Sequence, residues 1–343
     1  MLPRIFRSLS PPLPIHFIAL CIYLGGCGAG EAQPVVVAYV AVDRQHAEPI
    51  LQKFTEQSGV KVQAVYDSET AKTTGLVTRL LAESDRPRCD VFWNNELAQT
   101  YLLADRELLA AYHSPAAADI PASLQSSTGL WTAVATRARV IVYNTQLVKP
   151  DEIPRSIFDL TNPRWKGRVA IANPQFGTTR THVAALFAVL GPERAEKFLS
   201  ELLANEVRIV DGNAMVRNLV ARANPNASPI LIGLTDTDDV LAGQADGDPI
   251  DMVYPDQDSL GTLIIPSSVC LIQQAPHPAQ AKQLLDYLCS AGVENQLTQI
   301  HIGYRPVRPS TTTETAKPMQ VDFAEVLKHL ETSSQWTKEH FHP

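Results

Sequence analysis

The chain has 343 residues, of which 45% are hydrophobic and 19% are charged, and its formal net charge at pH 7 is −7. These values are typical of a globular protein, and the length suggests two domains of roughly 150 residues each. The acidic balance, without a basic run or a patch of interleaved aromatic and basic residues, argues against nucleic-acid binding.

The first 27 residues have the pattern of an export signal. Arg4 and Arg7 precede an apolar stretch, residues 15–23, that is too short to span a membrane. The stretch ends in Leu-Gly-Gly-Cys, which predicts a lipoprotein cleavage box with Cys27 as the lipidated residue. An ordinary secretory signal with a chance cysteine is the alternative. We expect an exported, periplasmic protein that is anchored to the membrane through Cys27.

Three cysteines remain after Cys27, namely Cys89, Cys270 and Cys289. In an oxidising compartment this number allows one disulfide and one free thiol, and Cys270 with Cys289 is one pairing that the spacing permits. The three residues are isolated from one another in the sequence, which argues against a zinc site.

The mature chain opens with the pattern strand, helix, strand, helix. Residues 35–42 form an apolar β-branched run, and residues 60–66 alternate between apolar and polar; the helix between them is expected to end at Gly59. In an open parallel sheet, the loops after the carboxyl ends of the strands form the ligand crevice. Residues 42–46 and 67–74 are the first two such loops.

Two later apolar stretches are long enough to pass from one domain to another. We interpret residues 131–143 and 261–272 as crossover strands that join two α/β lobes. Residues 34–135 together with 262–343 are predicted to form lobe 1, and residues 136–261 to form lobe 2. Each lobe is expected to be a mainly parallel sheet flanked by helices, with the crossover strands as a hinge and the ligand between the lobes.

Two segments combine threonine with glycine where a helix follows a strand. These are Thr73 and Thr74 in the first lobe, and Gly177, Thr178 and Thr179 in the second. Free backbone amides at a helix N-terminus attract anions, and threonine hydroxyls add donors. Simple N-capping by threonine is the alternative.

Three acids, Asp236, Asp238 and Asp239, follow an apolar strand in the second lobe. Helix capping and the helix dipole favour acids at this position without any ligand. Three acids in four positions exceed what one cap requires, so we predict that they bind the ligand. Tyr143, at the end of a crossover strand, is a further candidate, with hinge packing as its alternative.

Five segments of the chain form a distinctive set, which includes the pattern DxxNPxWKGxV. They are VVVAYVAVDRQHAEPILQKFTEQSGVKV, CDVFWNNE, RARVIVYNT, DLTNPRWKGRVAIANPQFGTT and GYRPVRP. Together with the lipoprotein leader, these segments resemble the bacterial extracellular solute-binding proteins of the ferric-iron type, which are class II periplasmic receptors of ABC importers. The resemblance runs from about residue 35 to residue 307.

The resemblance implies the two-lobed class II fold and a ligand of ferric iron with a synergistic anion, which the loop at Gly177 would hold. Relatives that bind iron use an early His or Tyr, an acid after the third strand and a tandem tyrosine pair. Here Asp43 replaces the early residue, Asn95 or Glu96 represents the acid, and Asp238–Asp239 replaces the tyrosine pair. We therefore assign Asp43, Glu96, Asp238 and Asp239 as candidate metal ligands, with Tyr254 as a replacement phenolate.

The sequence thus predicts a monomeric substrate-binding lipoprotein that delivers a small ligand to the permease and ATPase subunits of an ABC importer. Within this class, an organic phosphate, a phosphonate or a polyamine is the alternative ligand. A secreted metal-dependent hydrolase is the alternative from another class. The sequence contains no GxSxG, HExxH or Walker motif, so we expect no enzyme and no catalytic cofactor.

Overall fold

The structure is a computed structural model. It describes residues 33–67, 74–224, 226–227, 229–299, 304–309 and 316–341. Cys27 and Thr73 lie outside the described residues, and so does the side chain of Thr74. Residues 33–343 belong to one compact unit. Among the described residues, we find no helix with the length and apolar character needed to cross a membrane.

Strands and helices alternate through most of the described chain. The strands are β1 (Val35–Val40), β2 (Lys61–Tyr66), β3 (Val91–Asn94), β4 (Leu109–Ala110), β5 (Thr132–Asn144), β6 (Val169–Ala172), β7 (Arg208–Val210), β8 (Ile232–Asp236), β9 (Ile250–Val253) and β10 (Ile264–Ile272). The helices are α1 (Arg44–Ser58), α2 (Thr74–Ala82), α3 (Leu97–Asp105), α4 (Gly177–Leu190), α5 (Pro192–Ala204), α6 (Asn213–Ala221), α7 (Thr237–Ala245), α8 (Pro278–Leu288), α9 (Ala291–Gln299) and α10 (Phe323–His340).

One continuous sheet connects the described strands in the order β2-β1-β3-β10-β5-β8-β6-β7, with β4 beside β10 and β9 beside β5. Strand β1 is parallel to β2 and β3, and β6 is parallel to β7 and β8. The first part of β5 pairs with β10, whereas its last six residues pair with β8 and β9. The sheet therefore has two mainly parallel halves that share β5, as the predicted α/β fold requires.

The two long strands expected as crossovers are β5 and β10. A β-bulge lies between them, because Ser267 is opposite Ala135 whereas Ser268 is opposite Ala133. A bulge bends and twists a strand locally, and this one lies close to the point where β5 passes from one half of the sheet to the other. Both strands are almost fully buried, since they pass through the middle of the sheet.

Separate hydrophobic cores stabilise the two halves of the sheet. One core surrounds β1 and β3 and includes Phe92 and Trp93. The second half has apolar clusters that include Phe187 and Val216. Helix α10 packs on α4 and contacts α3 as well, so the C-terminal helix joins the core of the second half. The lobe boundaries given above stay a prediction, and the position of α10 argues for moving this helix from lobe 1 to lobe 2.

The three cysteines after the signal region are buried and form no disulfide with one another. Cys270 and Cys289 are therefore not paired. Burial raises the pKa of the Cys289 thiol to about 12, so this thiol is protonated at neutral pH.

Gly233 provides a test of how β8 packs between β5 and β6. A Cβ atom at this position would lie 2.4 Å from Val216 Cγ1 and 2.9 Å from the Ala170 carbonyl oxygen, which belongs to the backbone of β6. We expect Gly233→Ala to lower the free energy of unfolding by about 1–3 kcal/mol in urea denaturation. Gly292→Ala in α9 is the matched control, because its nearest atom is Ser290 Oγ at 3.8 Å. Equal stability of the two variants would contradict this packing argument.

Candidate functional site

Five parallel strands, β1, β3, β6, β7 and β8, end at the same cavity, as the geometry of open α/β sheets predicts. The cavity has a volume of about 130 Å³ and lies between the two halves of the sheet. The residues that line it include five groups that follow these strands in the chain and one residue from β5 itself. They are Asp43, Asn95, Glu96, Arg137, Gly177, Thr178, Thr179, Asp211, Gly212, Asn213, Asp238 and Asp239.

A buried ion pair between Arg139 and Asp236 lies at the floor of this region. The two residues are opposite each other in the antiparallel register of β5 and β8, and both side chains are fully buried. Arg139 Nη1 is 2.7 Å from Asp236 Oδ1. Burial would raise the pKa of Asp236, but Arg139 and then Arg137 outweigh that effect and lower it below its usual value. Asp236 is therefore ionised and paired within the protein.

The same ion pair fixes the start of two helices. Thr178 Oγ1, in the first turn of α4, donates to Asp236 Oδ2 at 2.6 Å, and Asn213, at the start of α6, donates its Nδ2 to the same oxygen at 2.9 Å. Arg139 Nη2 donates to Thr179 Oγ1 at 3.3 Å. The threonine hydroxyls are thus used within the protein. Neither threonine caps α4, whose N-cap residue is Phe176.

The predicted anion loop nevertheless lies at the cavity. Gly177 begins α4 with a φ of 54°, a left-handed conformation that favours glycine. Gly177, Thr178 and Thr179 all line the cavity. The first amides of a helix have no acceptor within the helix, so this end of α4 presents backbone donors and a partial positive charge.

Asp238 and Asp239 begin α7 and line the cavity. Arg137 Nη1 is 2.9 Å from Asp238 Oδ2, whereas Asp238 Oδ1 is buried and accepts no hydrogen bond from the described part of the chain. Burial raises the pKa of Asp238, against the influence of Arg137. Asp239 Oδ2 accepts a hydrogen bond from Thr235 Oγ1 at 3.1 Å. Asp236, Asp238 and Asp239 each offer a carboxylate oxygen within 4.8 Å of the others, and Asp236 makes no capping hydrogen bond to α7.

Glu96, the predicted acid after the third strand, caps α3. Its carboxylate accepts hydrogen bonds from the backbone amides of Ala98 at 2.9 Å and Gln99 at 3.2 Å. Thr181 Oγ1 of α4 donates a hydrogen bond to Glu96 Oε1 at 2.5 Å. The Glu96 carboxylate therefore also connects the two halves of the sheet. Burial raises the pKa of Glu96 although these donors oppose the shift.

The structure places the two candidate tyrosines away from this cavity. Tyr143 is opposite Ile232, four residues along β5 from the Arg139–Asp236 pair, and its hydroxyl donates to Asp251 at 3.3 Å. Tyr254 lines a different cavity, and the guanidinium of Arg305 lies 5.2 Å from its ring centroid. The structure therefore gives no support to a ligand role for either tyrosine.

Sequence reasoning missed Arg137 and Arg139. A usable signal was present, because two arginines at positions i and i+2 of a strand point to the same face, and this strand is otherwise mostly apolar. A buried arginine needs a carboxylate partner. The acidic cluster Asp236–Asp239, which follows a predicted strand, was the candidate partner. Asn213 was also missed, since a single asparagine at the start of a helix is explained by the ordinary preferences of helix ends.

His182 of α4 lies near the buried ion pair and provides a pH test of it. Burial and the charge of Arg139 lower the pKa of His182 to about 3, and its Nε2 atom is buried with no hydrogen-bond partner within the described segments. The ordinary pKa of histidine is 6.5. Between pH 6.5 and about pH 3, His182 is protonated in the unfolded chain but not in the folded protein. The free energy of unfolding should therefore fall as the pH falls through that range, by up to about 1.4 kcal/mol per pH unit.

We expect His182→Met to remove this contribution from the pH dependence, as measured by urea denaturation at several pH values below neutrality. His113→Met is the matched control, because His113 is exposed. A slope that stays the same in His182→Met would show that His182 is protonated in the folded protein.

Comparison with known proteins shows the family and the fold of this chain. The sequence profile of the family "Bacterial extracellular solute-binding protein" matches residues 92–328. Iron uptake protein A1 of Synechocystis is 27% identical over 259 residues, which cover 74% of this chain and 70% of that protein. A putative 2-aminoethylphosphonate-binding periplasmic protein of Salmonella paratyphi A is 24% identical over 265 residues, with 76% and 73% covered.

Solved structures show the same fold. Iron-bound HitA from Pseudomonas aeruginosa superimposes with a TM-score of 0.76 at 20% identity, over 88% of this chain and 98% of HitA. This likeness confirms the predicted two-lobed α/β fold. Since the family profile covers more than half of the sequence, the chain belongs to the bacterial extracellular solute-binding proteins.

Proposed function

We propose that this protein is the substrate-binding component of an ABC importer, and that it captures ferric iron together with an anion between its two lobes. The observation that carries the proposal is the cavity at the strand ends, where Asp43, Asp238 and Asp239 supply carboxylate oxygens. Oxygen ligands of this kind suit hard cations. The names of the Synechocystis relative and of the HitA structure support iron as the cargo.

Asp238 is the central metal ligand in this proposal. Its Oδ1 atom is buried and has no hydrogen-bond partner among the residues that the structure describes, so a bound cation would satisfy it. Asp239 and Asp43 would complete the set of carboxylates. Asp236 is excluded from the set because Arg139 already holds it, and Glu96 is a weaker candidate because three donors occupy its carboxylate.

The anion would bind at the start of α4. Gly177, Thr178 and Thr179 line the cavity at the start of α4, and Gly212 and Asn213 line it at the start of α6. Two helix N-termini at one cavity favour a negatively charged group. The same observation supports the second candidate ligand, a phosphonate or organic phosphate whose anionic group would bind there while an amine contacts the carboxylates. The Salmonella relative is named for such a compound.

A double substitution tests the proposed metal ligands. We expect Asp238→Asn with Asp239→Asn to lower the affinity for Fe(III), supplied as its nitrilotriacetate complex, by at least about 100-fold, because two charged hard ligands become neutral amides. Isothermal titration calorimetry of the purified protein measures the affinity. Asp246→Asn is the matched control, since Asp246 lies at the other end of α7 with a side chain that is 71% exposed.

Retained Fe(III) affinity in the double variant would remove these residues from the site. If the wild-type protein binds no Fe(III) but is stabilised in a thermal-shift assay by 2-aminoethylphosphonate, the second candidate replaces the first. A ligand present at about 100 times its dissociation constant stabilises the folded state by about 2.7 kcal/mol, which such an assay detects.

We propose no catalytic activity, and turnover of phosphoesters in the presence of metal would favour the hydrolase alternative.

We also propose that Cys27 carries a lipid that anchors the protein outside the cytoplasm, next to the permease and ATPase subunits. This proposal rests on the apolar stretch that ends in Leu24-Gly25-Gly26-Cys27. We expect Cys27→Ser to abolish incorporation of a fatty-acid probe, because serine lacks the thiol that accepts the lipid. Metabolic labelling followed by gel analysis measures this. The same degree of labelling in the serine variant would contradict the anchor.

A further inference from the structure

Arg137 lies in the cavity next to the proposed metal ligands. Its Nη1 atom is 2.9 Å from Asp238 Oδ2 and 3.7 Å from Asp236 Oδ2, and its Nη2 atom donates to the Asn95 carbonyl oxygen at 3.1 Å. The side chains of Arg137 and Asp238 are 12% and 16% exposed. The guanidinium is therefore a cation that already contacts the carboxylate proposed to bind the cargo.

This contact differs from the neighbouring pair of Arg139 and Asp236. Arg139 is fully buried and donates to five acceptors, so its position is fixed by the fold. Arg137 makes two hydrogen bonds to described residues, borders the cavity, and leaves its Nε atom without a partner. A guanidinium has five N–H donors, so most of those on Arg137 are not used in these two bonds.

Arg137 also connects the two halves of the sheet. It projects from β5 and contacts Asn95, which follows β3 in the first half, and Asp238, which begins α7 in the second. Without a positive charge between them, the carboxylates that meet in this cavity would repel one another in a region of low dielectric constant. Arg137 supplies that charge when no cargo is present.

We propose that Arg137 is an internal counter-cation that competes with the cargo for Asp238 and so sets the affinity and charge selectivity of the cleft. A metal ion that binds Asp238 must either displace the Arg137 guanidinium or lie close to its positive charge. Both arrangements lower the affinity of the cavity for the metal ion. The Asn95 carbonyl oxygen remains as a partner for a displaced Arg137. This inference rests on the proposed function, because it assumes that the cargo is a cation.

The test is an Fe(III) titration, with the metal supplied as its nitrilotriacetate complex, of the wild-type protein and three variants. We expect Arg137→Gln to bind Fe(III) about tenfold more tightly, which corresponds to about 1.4 kcal/mol. Arg137→Lys keeps the positive charge and should bind within about threefold of the wild-type protein. Arg217→Gln is the matched control, because Arg217 is paired with Asp246 and Asp248 and its side chain is 14% exposed. It removes the same charge outside the cavity and should leave the affinity unchanged.

Each outcome decides the question. Equal or weaker binding by Arg137→Gln, with Fe(III) binding by the wild-type protein intact, overturns the competition and leaves the proposed function standing. Binding by Arg137→Gln but not by the wild-type protein supports the competition and overturns iron as the natural cargo. Absence of binding in both proteins overturns both proposals. If Arg137→Gln does not fold in a thermal melt, a change of more than tenfold in Arg137→Lys overturns the inference, and unchanged affinity supports it.

Discussion

The buried ion pair between Arg139 and Asp236 is the interaction on which the cleft depends. It lies where β5 passes from one half of the sheet to the other, and it forms because the antiparallel register puts these residues opposite each other. Thr178 and Asn213 donate to the same carboxylate, so the starts of α4 and α6 are tied to β8. Removing one partner of a buried pair leaves an uncompensated charge, which typically costs about 3–5 kcal/mol.

This arrangement separates the acids of the cleft into two kinds. Asp236 is held in the floor by arginine and hydroxyl donors and has a structural role, although it belongs to the same short sequence as Asp238. Asp238 has one oxygen on Arg137 and one oxygen without a partner, so it retains capacity for a ligand. Asp236 and Asp238 are only two residues apart, yet Asp236 stabilises the fold whereas Asp238 is the proposed ligand residue.

The sequence predicted the fold well because its signals are local. Apolar runs identified β1 and the long strands β5 and β10, and Gly59 ends α1 in the left-handed conformation expected of it. Ligand residues depend instead on which side chains meet across the sheet. Tyr143 was a candidate because it ends a crossover strand, yet the register of β5 carries it away from the strand ends that form the cavity.

The arginines illustrate the same limit. Arg137 and Arg139 are two positions apart on one face of β5, but one contacts the cavity and the other is fully buried. The two-residue period of a strand predicts that both arginine side chains lie on one face of the sheet. How deeply each side chain is buried depends on the helices that pack on that face. The C-terminal helix is a second case, because its amphipathic pattern predicts a helix but leaves its packing partner α4 undetermined.

The replacement of a tyrosine pair by Asp238 and Asp239 gives Arg137 its significance. The resemblance to iron-binding relatives implies phenol groups at these positions, and a phenol, with an ordinary pKa near 10, is neutral at pH 7 until a metal binds. A carboxylate has an ordinary pKa near 4. Burial raises the pKa of Asp238, and the charge of Arg137 opposes that rise, so the guanidinium favours the ionised carboxylate when no ligand is bound. A site built from carboxylates therefore needs a resident positive charge in the absence of cargo, and Arg137 lies 2.9 Å from Asp238 in the position to provide it. With carboxylates in place of phenols, the negative charge of the acids of α7 is compensated by the positive charge of the arginine of β5, and the two features depend on each other.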